Sequence, residues 1–430
     1  MLQRPAYRKA LVLSGLIGIP VSLIAFWFLA ALHELDHLIW VTWPHHLGWA
    51  DPPWWWPLPW ALVSGVSVAL IVLRLPGAGG HIPAAGLHAG GMTKAALPGV
   101  VLAALSCLPL GVVLGPEAPL IALGGGLALL FRDLVRAPAT EAGNNLLGAA
   151  GSAAAISAIF GNPLVGAILL MEVAGVGGPQ LFAVMLPALL ASGVGAIVFT
   201  GFGDWTGLKI DSLKIGLPRP PVLDTGDVVW AVAMALAIGL LIHYIQVIGR
   251  HTAVFVPART LRNTVMCALA AAGCAAAYAG ITGRSPYDVA SSGQTTLEQL
   301  ASDPHAWSVG ALVAVLAFKS VAYAISLGSL RGGPVFPSLF LGGAAGALLA
   351  PLPGLGLVPA MAAGMAASSA AALRLPVSSV VLVVLLLGNS DTVPVVVLAA
   401  VVAFVTTELL PPGPRIPDLR PPRPLRTPRP

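Results

Sequence analysis

The chain has 430 residues, 57% of them hydrophobic and only 9% charged, against roughly 25% charged in an ordinary soluble domain. That composition excludes a soluble enzyme or binding module as the body of the chain and makes it an integral membrane protein. The formal net charge of +5 sits mostly in the two ends, so it signals topology and not a nucleic-acid surface.

The basic start MLQRPAYRKA leads into an apolar run, Ala10 to Leu32. The run is too long for a signal-peptide core and no small-residue cleavage site closes it, so it is expected to be the first membrane helix. Next come His33, Glu34 and His37 in an H-E-x-x-H pattern, and the stretch TWPHHLGWADPPWWWPLPW, which reads as an aromatic belt at the membrane interface. From there to residue 200 the apolar stretches are short and broken by Gly or Pro. Backbone interrupted at membrane depth survives only when buried in protein or lining a cavity, so re-entrant and half-spanning helices are expected.

The polar segment Gly201 to Asp227 reads as an exposed loop between two halves. The run Val228 to Ile248 is long enough to span, Arg250, His251, Arg259 and Arg262 form a basic cytoplasmic loop, and Val393 to Leu410 is a last spanning run. A Pro/Arg-rich tail, 411–430, closes the chain. Arg4, Arg8 and Lys9 at one end, and Arg415, Arg420, Arg423, Arg426 and Arg429 at the other, place both termini in the cytoplasm. Cys107, Cys267 and Cys274 fall in apolar segments and read as packed thiols, not as disulfides or a metal cluster. No soluble domain and no cofactor are expected.

The halves echo each other. GPEAPLIALGGGLA (Gly115 to Ala128) resembles GGPVFPSLFLGGAAG (Gly332 to Gly346), with Pro119 matching Pro337. FGNPLVGAILLMEVAG (Phe160 to Gly175) resembles LRLPVSSVVLVVLLLG (Leu373 to Gly388), with Pro163 matching Pro376. The paired prolines lie 44 and 39 residues apart. Interrupted segments at corresponding positions of two halves point to a transporter-like site at the midplane. The expected fold is an all-α polytopic membrane protein of two inverted-repeat halves, 1–200 and 228–410, joined by the loop 201–227.

Such segments carry their own chemistry. A helix starting inside the membrane presents unpaired N–H groups and the positive end of its dipole, which attract anions. PGAGGHIP (Pro76 to Pro83), LGPEAP (Leu114 to Pro119) and RGGPVFP (Arg331 to Pro337) have this form. Glu117 lies in the second, and an intramembrane carboxylate costs roughly 2.5–3.5 kcal/mol on insertion scales. Ionised, it can occupy an anion site at the helix starts; protonated, it vacates that site. The plainer reading pairs it with Lys319 or Arg331. Glu172, the other deep acid, reads either as a proton relay or as a helix-end residue capped by nearby backbone. Lys319 either adds positive potential or neutralises a buried acid.

At these residues the chain resembles the CLC family of chloride channels and chloride–proton antiporters, as a divergent bacterial-type member. GPEAP is similar to the family's Glu-Gly-Pro signature and places its gating glutamate on Glu117. Gly79-Gly80-His81-Ile82-Pro83 is similar to Gly-Ser-Gly-Ile-Pro, and Gly333-Pro334-Val335-Phe336-Pro337 to Gly-x-Phe-x-Pro. NPLVGAILLME and AALRLPVSSVVLVVLLLGN resemble two further segments, in the family's order. The resemblance implies a homodimer in the bacterial plasma membrane with one anion pathway per subunit. It also implies anion sites at Gly79, Gly80, His81, Ile82, Gly115, Ala118, Gly333, Val335 and Phe336. Several positions depart from the pattern. Gly80 replaces the family's central serine, Pro116 its basic residue, and no tyrosine follows Leu410, which leaves an inner gate expected to be wide. Val173 stands where exchangers carry an internal glutamate, which favours channel-like or weakly proton-coupled movement of chloride over a chloride–proton antiporter.

An alternative of another class is an intramembrane zinc metalloprotease using His33, Glu34 and His37. It needs a third protein ligand, for which no later segment offers a candidate.

Overall fold

A computed structural model describes residue 3 and residues 5–416, apart from 89–92, 138–139, 176–178, 209–214 and 218–222. Arg4, the tail arginines Arg420 to Arg429 and much of the inter-half loop, on which the termini and loop expectations rest, lie outside the described residues. Sixteen α-helices are formed among those described. The first eight are α1 (Pro5–His37), α2 (Trp43–His46), α3 (Pro57–Arg74), α4 (Leu97–Leu105), α5 (Glu117–Leu134), α6 (Glu141–Phe160), α7 (Pro163–Ala174) and α8 (Pro179–Thr206). The rest are α9 (Thr225–Phe255), α10 (Thr260–Thr282), α11 (Gln294–Ser302), α12 (Val309–Ser329), α13 (Val335–Leu349), α14 (Leu357–Leu373), α15 (Pro376–Leu387) and α16 (Val393–Leu409). Five apolar stretches are long enough to cross a membrane: Tyr7–His46, Pro57–Arg74, Leu181–Thr206, Thr225–Thr282 and Val309–Ser329. Six more apolar helices are shorter, Val335–Leu349 and Leu357–Leu373 among them.

The repeat is visible in the packing. In the first half α1 packs on α6 and α8, α5 on α6, and α7 against α6 and α8; in the second α9 packs on α14 and α16, α13 on α14, and α15 against α14 and α16. Local chemistry sets the matching breaks. Gly161, at φ 61°, ends α6 in the left-handed region, and Pro163 begins α7 with Asn162 Oδ1 accepting the Leu164 N–H at 2.9 Å. Arg374, at φ 56°, ends α14, and Pro376 begins α15. Pro119 and Pro337 both sit in first turns, of α5 and α13, where a missing N–H costs nothing.

One expected helix start is not a helix. The segment after α3 forms short 3₁₀ turns at Pro76–Gly79 and Pro83–Ala85. Gly77, Ala78, Gly79 and Gly80 all take positive φ there, which breaks any helical run before it can begin.

Candidate functional site

The two halves meet at their interrupted segments. Gly115 and Gly333 form an antiparallel bridge, with Gly115 N–H donating to Gly333 O at 2.8 Å and Gly333 N–H to Gly115 O at 2.5 Å. This pairing holds the starts of α5 and α13 side by side. Glu117, the first residue of α5, is fully buried, and its Oε1 accepts the Phe336 N–H at 2.8 Å. The N–H groups of Val335 and of Glu117 itself also lie against the carboxylate. Among the described residues Oε2 has no hydrogen-bond partner. The bridge has no room for side chains, because a Cβ on Gly115 or Gly333 would overlap the Glu117 carboxylate.

Surrounding side chains fix this geometry. Tyr323 of α12, fully buried, donates its hydroxyl to Pro334 O at 2.8 Å, anchoring the loop that delivers Phe336. Phe336 stacks on Phe160 at the end of α6, ring centroids 5.5 Å apart. The buried Arg331 donates Nε to Ala78 O at 3.1 Å and Nη1 to Leu330 O at 3.1 Å, and its own carbonyl accepts from Cys107 Sγ at 2.8 Å. Arg331 thus brings the Gly77–Gly80 turn to the α13 start, so all three interrupted segments converge. It makes none of the ion pairs found among the described residues.

Of the expected anion-site residues, Gly80 spends its N–H on Gly77 O at 2.9 Å, and those of Gly115, Gly333 and Phe336 are engaged as described. Val335 opens α13 beside Glu117. Gly79 packs against Arg331, while His81 and the extended Ile82 lie between the two 3₁₀ turns. Ala118 is the second residue of α5 and faces His81 across a narrow crevice. Pro116 and Leu114 instead border a cavity of about 250 Å³, whose wall includes His33, Asp36, Tyr287 and Ser291.

Neither cation pairs with Glu117. Lys319, fully buried, donates Nζ to the carbonyls of Asp288, Val289, Ala290 and Ser291 at 3.0–3.3 Å and lies over the Phe340 ring at 4.7 Å. The loop closed around it sets Tyr287 and Ser291 against Asp36, at 2.7 and 3.2 Å. Lys319→Met leaves those carbonyls buried without a donor, so a loss of about 3 kcal/mol or more is expected, read as a lowered melting temperature in detergent.

Glu172 is remote from Glu117 in its bonding. Its carboxylate accepts Val377 N–H at 3.1 Å, Ser378 N–H at 2.7 Å and Ser378 Oγ–H at 2.6 Å, capping α15 from the opposite half. His33, Glu34 and His37 lie exposed near the end of α1, and His37 Nδ1 is 3.2 Å from Thr42 Oγ1. No group of three or more His, Cys, Asp or Glu able to hold a metal occurs among the described residues.

Two features escaped the sequence. Tyr323 has a signal, a phenol one turn beyond Lys319 in an apolar helix. His88 has none: only folding lays its ring on that of His81, with centroids 4.6 Å apart and planes 11° apart.

A helical membrane bundle of two repeated halves, joined at helix starts that enclose one carboxylate, defines a membrane transport protein. The sequence profile of the family described as voltage gated chloride channel matches residues 64–408, and the chain belongs to that family. It is 27% identical over 350 residues to YfeO of Escherichia coli O6:H1, named as an ion-transport protein, covering 80% of each chain. The O7:K1 counterpart is 26% identical over the same span. Two solved structures share the fold. A slow cyanobacterial Cl⁻/H⁺ antiporter has a TM-score of 0.76 at 19% identity, covering 93% of this chain and 94% of that one. A CLC-type fluoride/proton antiporter has a TM-score of 0.69 at 19% identity, covering 93% and 95%.

Proposed function

We propose that this protein passes chloride or a similar small inorganic anion across a membrane, with Glu117 as the gate. The observation that carries this reading is the Glu117 carboxylate accepting the Phe336 N–H where the starts of α5 and α13 meet. A carboxylate in that position does what a bound halide does: it accepts N–H groups at the positive ends of two helix dipoles. It is also held imperfectly, since an unpaired buried acceptor such as Oε2 costs about 1–3 kcal/mol. Protonation removes the charge that keeps the side chain there, the carboxyl group swings away, and an anion takes its place.

The movement is channel-like or only weakly coupled to protons. Val173 supplies no second acid, and Glu172 is committed to capping α15. The alternative is a chloride–proton antiporter, and of the two solved neighbours one is named as a Cl⁻/H⁺ antiporter and the other as a fluoride/proton antiporter. We assign 1–200 and 228–410 to the two halves, place both termini in the cytoplasm of a bacterial plasma membrane, and assemble the protein as a homodimer.

Anion efflux from liposomes under an imposed pH gradient tests the reading, with fluoride and chloride compared in one assay. Wild type is expected to release anion. If it releases none, the function is wrong; if anion moves and protons are driven with it, the antiporter replaces the channel. Glu172→Gln is expected to lower stability by about 1 kcal/mol through loss of a charged cap while leaving the anion-to-proton ratio unchanged. A changed ratio would make Glu172 a relay.

A further inference from the structure

Along α5 the site opens unequally. Pro116, just before Glu117, borders a cavity of about 250 Å³, whereas Ala118, Ile121 and Ala122, just after it, border a crevice of about 10 Å³. A space of that size holds about one water. His81 and His88 form part of its wall, their rings stacked nearly parallel at 4.6 Å.

From this stack we infer that His81 and His88 form a second gate on the side of the pathway opposite the large cavity, operated by their own protonation. The inference rests on the anion-transport reading above. Gly86 O can only accept, so the 3.1 Å contact with His88 Nδ1 fixes hydrogen on that nitrogen and leaves Nε2 to take up the extra proton. Neutral rings stack and close the crevice. Two imidazolium rings face to face repel each other, so protonation separates them and lines the opening with positive charge, as an entering anion requires.

The surroundings hold the rings neutral, and the crevice closed, until the pH falls below the ordinary imidazole range. Burial first, then His88 and the cationic Arg331, oppose protonation of His81, and Arg331 makes none of the ion pairs found among the described residues. Glu117 heads α5, and α4 carries no titratable group. Arg74 ends α3, and Lys94 of the following 3₁₀ turn is paired with Asp133 of α5. From the helices packed on the Pro83–Ala85 turn, α9 bears His243, Arg250 and His251, and α12 bears Lys319, enclosed by its carbonyls. Near His81, then, the fixed charge is the cationic Arg331, and a passing anion is the missing counter-charge.

The test separates the two gates. Glu117→Gln protein, whose carboxylate no longer titrates, is reconstituted in liposomes with equal pH on both sides and assayed for chloride efflux. Efflux is expected to rise about tenfold between about pH 8 and about pH 5, with most of the rise below the ordinary imidazole range because burial opposes protonation of His81. Adding His81→Phe or His88→Phe, which keep a flat ring in place, is expected to flatten that rise. Both histidines are exposed, and monodisperse elution in detergent verifies that the variants fold. A Glu117→Gln protein without pH dependence overturns the second gate, as does pH dependence that persists in both phenylalanine variants. Absence of efflux at every pH, in wild type as well, overturns the transport reading and the second gate with it.

Discussion

At neutral pH, Glu117→Gln is expected to raise anion efflux at least about tenfold, and its pH dependence is expected to be shallower than that of wild type. In the proposed gate the closed state would be held by the ionised Glu117 carboxylate accepting the Phe336 N–H at 2.8 Å, reinforced by two helix starts. Hydrogen bonds to an ionised group are roughly twice as strong as neutral ones, and a charge near a helix end adds about 0.3–2 kcal/mol. Glutamine keeps the shape and surrenders both terms. A loss of about 1.4 kcal/mol is already tenfold in an equilibrium, so the side chain leaves its position often without waiting for a proton. Glu117→Ala extends the effect by emptying the position. Chloride efflux from liposomes at matched pH measures both, and an unchanged rate with an unchanged pH profile in Glu117→Ala would reject Glu117 as the gate.

The parts of this arrangement that the sequence made legible are those written in residue type. Pro119 and Pro337 mark the first turns of α5 and α13, Pro163 and Pro376 the first residues of α7 and α15, because proline loses no intrahelical hydrogen bond there. Glu117 stood out because charge is rare in the chain. What depended on three-dimensional closure stayed hidden. The segment around Gly79 reads as a helix start by composition, but four successive positive-φ residues make it a turn held by Arg331. Lys319 and Arg331 are obvious cations whose partners are carbonyls, and carbonyls leave no trace in a sequence. Glu172 takes its donors from the start of α15, over two hundred residues away, a contact that no local pattern announces. His81 and His88 are separated by a glycine-containing turn whose path no periodicity predicts.

Gly342→Val and Gly124→Val are expected to have the largest effects on the fold, for one reason acting twice. In the second half a Cβ on Gly342 would overlap Gly364 O and Ser368 Oγ, and one on Gly364 would overlap Gly342 O. In the first half Gly124 and Gly151 stand in the same reciprocal relation, each Cβ overlapping the other's carbonyl. Small residues at facing positions let membrane helices approach to backbone contact, so these pairs set how closely α13 packs on α14 and α5 on α6. The obstacle is main chain, which cannot rotate aside, and overpacking of this kind costs about 1–3 kcal/mol or more. Both valine variants are expected to lose the monodisperse peak in detergent, whereas Gly193→Val, with open space around its Cβ, keeps it. The milder Gly342→Ala is the more telling variant. Where it folds, pushing α13 off α14 moves the Phe336 N–H relative to Glu117, and efflux at neutral pH is expected to rise toward that of Glu117→Gln. A folded Gly342→Ala protein with wild-type efflux and pH profile would show that the gate tolerates displacement of α13.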